Sequence, residues 1–190
     1  CIERGFDSVM IDASSTSYDQ NVDLVRRVVA LARRHGVGVE AQIGETLAEE
    51  GAEIAERKTT VEEALAFVRD TGIDYLAVSI GNTPGRLGGE APIDVPLVRA
   101  ISGAVRVPLV LHGGTSVPAA TVRAVVAAGI AKVNIDAAVK GAFRAALTEA
   151  YAASNPVVDT RAPLADARAR ALEAVAERIA LFGAEGRAGA

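Results

Sequence analysis

The sequence has no tryptophan, a single methionine and only 4% aromatic residues. Large rings cannot organise its interior. A core of such a chain is packed from Ala, Val, Leu and Ile, the residues of buried parallel strands and their covering helices. Cys1 is the one cysteine, so no internal disulfide can form, and a reducing, cytoplasmic setting is expected. No apolar run approaches the roughly 20 residues that span a bilayer, and no signal-peptide pattern opens the chain. A long basic run is also missing and the net charge is −4, which argues against a nucleic-acid partner. No GxGxxG follows a first strand and no Walker pattern occurs, so the nucleotide-binding α/β folds lack support.

What is present is half apolar, and 190 residues suffice for one domain with a sizeable core. Short β-branched runs alternate with longer amphipathic stretches. Strands are expected at 8–12, 38–43, 75–80, 107–112 and 132–136, and helices at 19–35, 60–71, 95–102, 118–128, 138–153 and 163–182. Thr60 and Glu63 form a capping-box pattern, and Gly36 and Gly72 close the helices before them. Ser116 is expected to cap the helix at 118–128. The charged stretch 44–59 and the Gly- and Pro-rich stretch 82–92 read as loops. Residues 1–4 resemble a helix tail ending at Gly5, so the numbering is expected to begin partway through a longer protein.

Five strands, each followed by a helix, imply a parallel sheet with right-handed crossovers. An open doubly wound sheet and a closed barrel both satisfy that pattern. A closed barrel needs eight strands in about 250 residues, so as a barrel this chain would supply the last five units and a C-terminal helix, with about three units before Cys1.

The carboxyl ends of the strands read IDAS, EAQIG, SIGNTPG, LHGGTS and NIDA. Each places a polar residue or a glycine where the apolar run stops, and in parallel α/β folds these ends converge on the active site. Asp12, Glu40, His112, Asn134 and Asp136 are therefore expected to face one pocket. His112 is followed by Gly113, Gly114, Thr115 and Ser116. The glycines let backbone N–H groups approach an anion closely, and the hydroxyls lead into a helix N-terminus that favours phosphate. The plainer reading is a tight turn with Ser116 as cap. Asp12 equally suits capping of its own loop, whereas Glu40 inside a strand is costly to bury without a partner. His35, in a last helical turn, reads as surface.

These motifs resemble those of the class II fructose-bisphosphate and tagatose-bisphosphate aldolases along nearly the whole chain. GFDSVMIDAS, VGVEAQIG, DYLAVSIG, VPLVLHGGTSVP, AKVNIDA and ERIALFGAEGRA are each similar to a family segment, in the same order. The resemblance implies a TIM (β/α)8 barrel of which residues 1–190 form one partial domain. It implies reversible aldol cleavage of a phosphorylated ketose to dihydroxyacetone phosphate and an aldehyde. It also implies a zinc ion held by three histidines, acting as a Lewis acid, and a homo-oligomer. His112 matches a zinc histidine. Gly85, Gly113, Gly114 and Thr115 match the phosphate-binding region, and Asn134 and Asp136 match substrate contacts. Asp12 and Glu40 match acidic residues near the metal. The acid/base Asp and the first zinc histidine would lie upstream of Cys1.

The departures are as specific as the matches. Pro84 stands where the family's IGTxHG segment carries a zinc histidine, and proline offers no ligand atom. Asn82 is the nearby side chain able to stand in, with an amide oxygen that binds zinc poorly. Gln42 replaces a second Glu, and Ala137 replaces a hydroxyl residue of the phosphate site. These departures also fit a second role, a non-catalytic or regulatory subunit that binds a sugar phosphate or stabilises a partner aldolase.

Overall fold

The computed structural model describes residues 1–44, 58–82, 92–152 and 159–187. Most of the expected charged loop, and the loop holding Pro84 and Gly85, lie outside the described residues. The elements are β1 (Ser8–Ile11), α1 (Tyr18–Arg33), β2 (Gly38–Ile43), α2 (Val61–Thr71), β3 (Tyr75–Val78), α3 (Val95–Ala104), β4 (Leu109–Leu111), α4 (Ala119–Ala128), β5 (Ile130–Val133), α5 (Ala137–Ala152) and α6 (Arg161–Leu181). A short 3-10 turn, Ile2–Arg4, precedes them and ends at Gly5 with φ 82°. No described helix is long and apolar enough to cross a membrane.

All four strand pairings are parallel, and the order is β1-β2-β3-β4-β5. That order decides between the two architectures the strand–helix alternation allows. A doubly wound sheet reverses its order at a switch point and carries helices on both faces. Here every strand lies beside its sequence neighbour, and the helices cover one face, as in an arc of a (β/α) barrel. Among the described residues the arc is not closed: β1 and β5 each pair on one side only.

Alternation along the strands separates the two faces. Val39, Ala41 and Ile43 of β2, Leu76 and Val78 of β3, and Leu109 and Leu111 of β4 pack against Val25, Val29, Phe67, Val98, Ile101, Val122 and Val125 of the helices. This is the aliphatic core expected from the composition, with Phe67 its largest fully buried side chain. The opposite, concave face carries the intervening residues: Glu40 and Gln42 on β2, Ala77 on β3, Val110 on β4, His112 just beyond it, and Lys132 on β5.

Helix starts follow local rules. Thr60 Oγ1 accepts from the Glu63 N–H and the Glu63 carboxylate accepts from the Thr60 N–H. Ser17 and Gln20 make the same reciprocal box at α1, a pair the sequence reading passed over. Gly72, at φ 69°, ends α2. Ser116 does not cap α4. Its hydroxyl donates to the Gly113 carbonyl at 3.2 Å within a 3-10 turn, Gly114–Ser116, and Pro118 takes the cap position. The last strand begins two residues earlier than expected. Gly129, at φ 123°, turns the chain straight out of α4, so Ile130 enters the ladder opposite Leu109.

α1 and α2 are strapped together at the surface. Tyr18 Oη donates to Asp70 Oδ2 at 3.0 Å, Arg26 Nε donates to the Asp70 carbonyl, and Arg33 reaches the Gly72 carbonyl at 3.2 Å. Desolvation, then the hydrogen bond to Asp70, pushes the Tyr18 phenol up to about 12. A phenol raised above its unfolded pKa contributes stability that is full below the unfolded value and lost as pH rises through the folded one. The tyrosinate absorbance of the wild type minus that of Tyr18→Phe should therefore rise at about pH 12. A difference already complete near the ordinary tyrosine value of about 10 would refute the strap.

Candidate functional site

The concave face brings together polar residues of β2, of β5 and of the turn after β4. Glu40 is 3% exposed. A carboxylate so buried needs partners on both oxygens, and it has them. His112 Nε2 lies 2.7 Å from Glu40 Oε1, and Lys132 Nζ donates to Glu40 Oε2 at 2.6 Å. Burial pushes the Glu40 carboxyl up, but the hydrogen bonds and charges of His112 and Lys132 outweigh it and hold the group below its ordinary value. An ionised carboxylate only accepts, so Nε2 of His112 carries the proton between them. In the neutral imidazole Nδ1 is then the lone-pair nitrogen. This is the arrangement in which a carboxylate fixes the tautomer of a working histidine.

The turn after His112 is shaped by its glycines. Gly113 is left-handed, with φ 68°. Gly114 is buried against β5, and a Cβ there would come within 2.4 Å of Val133 Cγ1. Its N–H donates to the Asn134 carbonyl at 3.2 Å, and the Asn134 N–H donates to the Leu111 carbonyl at 2.9 Å. Gly114 thus contributes close approach between the two strand ends, and its amide is already committed. Thr115 Oγ1 accepts from the Ala138 N–H in the first turn of α5 at 3.3 Å, which leaves its hydroxyl proton free in principle to donate to an anion.

Of the five residues expected to share a pocket, the structure brings Glu40 and His112 into contact. Asn134 stands beside them through its backbone bonds to β4 and Gly114. Asp12 uses Oδ1 locally, accepting from the Ser14 N–H at 3.0 Å and the Ser14 hydroxyl at 2.6 Å. This is the loop-capping role, and it follows from β1 ending at Ile11 with the chain turning at once. The Asp136 carboxylate is 71% exposed and pairs with Lys140 one helical turn on. Lys132, the second partner of Glu40, escaped the sequence reading. Its signal was a lysine inside an otherwise apolar strand run, on the same alternation as the concave face.

Asn82 is 2% exposed and has spent both ends of its amide. Oδ1 accepts from the Ile80 N–H at 2.9 Å, and Nδ2 donates to the His112 carbonyl at 3.1 Å. It ties the chain just after β3 to the end of β4. Gln42 Nε2 donates to Ser14 Oγ at 3.3 Å, and the Gln42 carbonyl accepts from Asn21 Nδ2 at 3.0 Å. Near the other end of the sheet, an apolar cavity of about 870 Å³ runs along the unpaired side of β1 between Ile2, Phe6, Ile11 and Leu31. His112 is not among its lining residues.

The donor set tests the expected zinc. Among the described residues no group of three or more His, Cys, Asp or Glu side chains is placed to hold a metal ion. His112 offers one ring nitrogen, and Glu40 is held by His112 and Lys132. A catalytic zinc normally has three protein ligands, so the described residues do not by themselves fit one.

Comparison with known proteins identifies the family and the fold. The profile of the family described as fructose-bisphosphate aldolase class-II matches residues 1–187. The sulfofructosephosphate aldolase of Alkalicoccus urumqiensis is 33% identical over 195 residues, covering 98% of this chain and 67% of that protein. The fructose-bisphosphate aldolase of Staphylococcus epidermidis is 34% identical over 189 residues, covering 98% of this chain and 66% of its own length. The crystal structure of the YdjI aldolase from Escherichia coli K12 superposes with a TM-score of 0.83 at 31% identity, over 97% of this chain and 64% of that one. The chain thus spans about two thirds of the length of the curated relatives it matches.

Proposed function

Because this chain belongs to the class II fructose-bisphosphate aldolase family, we propose that its strand-end site, in the complete protein, binds a phosphorylated ketose and cleaves it reversibly to dihydroxyacetone phosphate and an aldehyde. The observation that carries this reading is the buried Glu40–His112 pair, 2.7 Å apart, on the concave face of the parallel sheet, with His112 just past the carboxyl end of β4 and directly before a glycine turn. Buried charge of this kind is costly to keep unless it serves the site.

In this reading each residue has a bounded task. Glu40 holds the His112 ring and leaves Nδ1 for the substrate side. Gly113 and Gly114 keep the turn tight enough for a phosphate to approach the backbone, with Thr115 supplying a hydroxyl. Asn134, whose carbonyl accepts from Gly114, contacts the substrate in this reading. Phosphate recognition is the feature common to the names of the relatives, sulfofructosephosphate and fructose-bisphosphate aldolases. No step is assigned to a zinc ion, because the described residues lack its donor set, and Pro84 removes one histidine the family pattern would supply.

That same departure supports a second reading, a sugar-phosphate-binding subunit without turnover. Retro-aldol assays of the full-length protein with a panel of ketose phosphates, with and without added zinc, separate the two. Release of dihydroxyacetone phosphate is expected. Binding of a ketose phosphate with no release under either condition would sink the lyase reading and leave the second.

A further inference from the structure

Lys132 lies on β5 and Glu40 on β2, with β3 and β4 between them, yet their side chains meet across the concave face at 2.6 Å. The pair is unequal. The Lys132 side chain is 48% exposed and that of Glu40 4%, so water could satisfy the ammonium but not the carboxylate. An ordinary surface ion pair has no such asymmetry and does little. Here one oxygen of a buried carboxylate depends on Lys132 and the other carries the His112 ring. A carboxylate gripped at both oxygens cannot swing about its own axis. One gripped at a single oxygen can, and it takes its partner with it.

We propose that Lys132 is a positioning residue of this site: its ammonium clamps Oε2 of Glu40, so that Oε1 holds the His112 imidazole in one orientation and one tautomer. The inference deepens the reading of His112 as a working residue and rests on it. Lys132 itself touches no reacting atom in this scheme; it acts through Glu40. Any group that keeps the positive charge and the reach should serve, which distinguishes the role from mere packing of a lysine stem.

The test uses the full-length protein labelled with ¹⁵N-histidine, at a pH where imidazole is neutral, with the His112 signals assigned by their loss in His112→Gln. In the wild type a single set of ring signals with Nε2 protonated is expected. Lys132→Met should replace that set with averaged or doubled signals from mixed tautomers, and Lys132→Arg should keep the wild-type pattern. Lys132→Gln, which retains a polar end without the charge, should behave like Lys132→Met and decides the matter if Lys132→Met misfolds. Kinetics should follow: kcat falling about 10- to 100-fold in the uncharged variants, the range for outer partners of a functional imidazole, with KM little changed and most of kcat restored by Arg. Folded Lys132→Met or Lys132→Gln protein with wild-type His112 signals would overturn the proposal. So would an Arg variant as disordered at the ring as the Met one. The ring signals are read whether or not the protein cleaves a ketose phosphate, so an inactive protein would count against the lyase reading alone.

Discussion

Glu40→Gln is expected to lower ketose-phosphate cleavage about 100-fold, the upper range for removing a carboxylate behind a working imidazole, while leaving the fold intact. Gln keeps the size and one acceptor oxygen but loses the charge that makes His112 present Nε2–H. Lys132, half exposed, returns to water at small cost. Stability should fall by about 1.5–3 kcal/mol, the scale of a lost hydrogen bond to a charged group. The pH dependence has a definite sign. The Glu40 carboxyl is held below its ordinary value of 4.5, so its contribution is full above the unfolded pKa and lost as pH falls through the lower folded one. Thermal melts of wild type and Glu40→Gln should therefore separate near neutral pH and converge in acid. Turnover of Glu40→Gln close to that of the wild type would show that the pair is structural only.

Gly81→Ala should be the most damaging single methyl in the described structure. Gly81, three residues past β3, has φ 105°, and a Cβ there would stand 2.3 Å from the Pro92 carbonyl oxygen and 2.9 Å from its carbon. Both obstacles are backbone, so no side chain can swing aside. A positive φ costs a non-glycine residue about 1–2 kcal/mol, and overpacking adds about 1–3 kcal/mol. Together they predict a loss of about 3 kcal/mol, read as a lower denaturant midpoint at unchanged slope. The Asp94 N–H bond to the Ile80 carbonyl should open with it, exposing that amide to faster hydrogen exchange. A midpoint shift under about 1 kcal/mol would mean that the segment around Pro92 yields easily.

Contrasting residues show what was legible at each level. The Thr60–Glu63 box, the glycine stops at Gly5 and Gly72, and the aliphatic core were readable in advance because they depend on spacing of three or four residues, or on composition. Glu40 and His112 stood out for a similar reason: a polar residue inside or just after an apolar run is a local signal, and the structure brings the two into contact. Asp12 and Asp136 also follow strands, but each carboxylate has a local partner, Ser14 or Lys140, and the alternation does not show which partner the turn permits. Asn82 likewise bonds backbone groups at both ends of its amide, one of them the carbonyl of His112.

The amino-acid sequence by itself determined the alternating strand–helix units, the aliphatic core and the family-like motifs. Each is a property of neighbouring residues or of overall composition. Only the tertiary structure decided between barrel arc and doubly wound sheet, because strand order depends on which edges pair and not on which residues form strands. It alone joined Lys132 to Glu40 across 92 positions. That contact exists because consecutive parallel pairing lays β2 to β5 side by side and turns one face of all of them toward the same concave space.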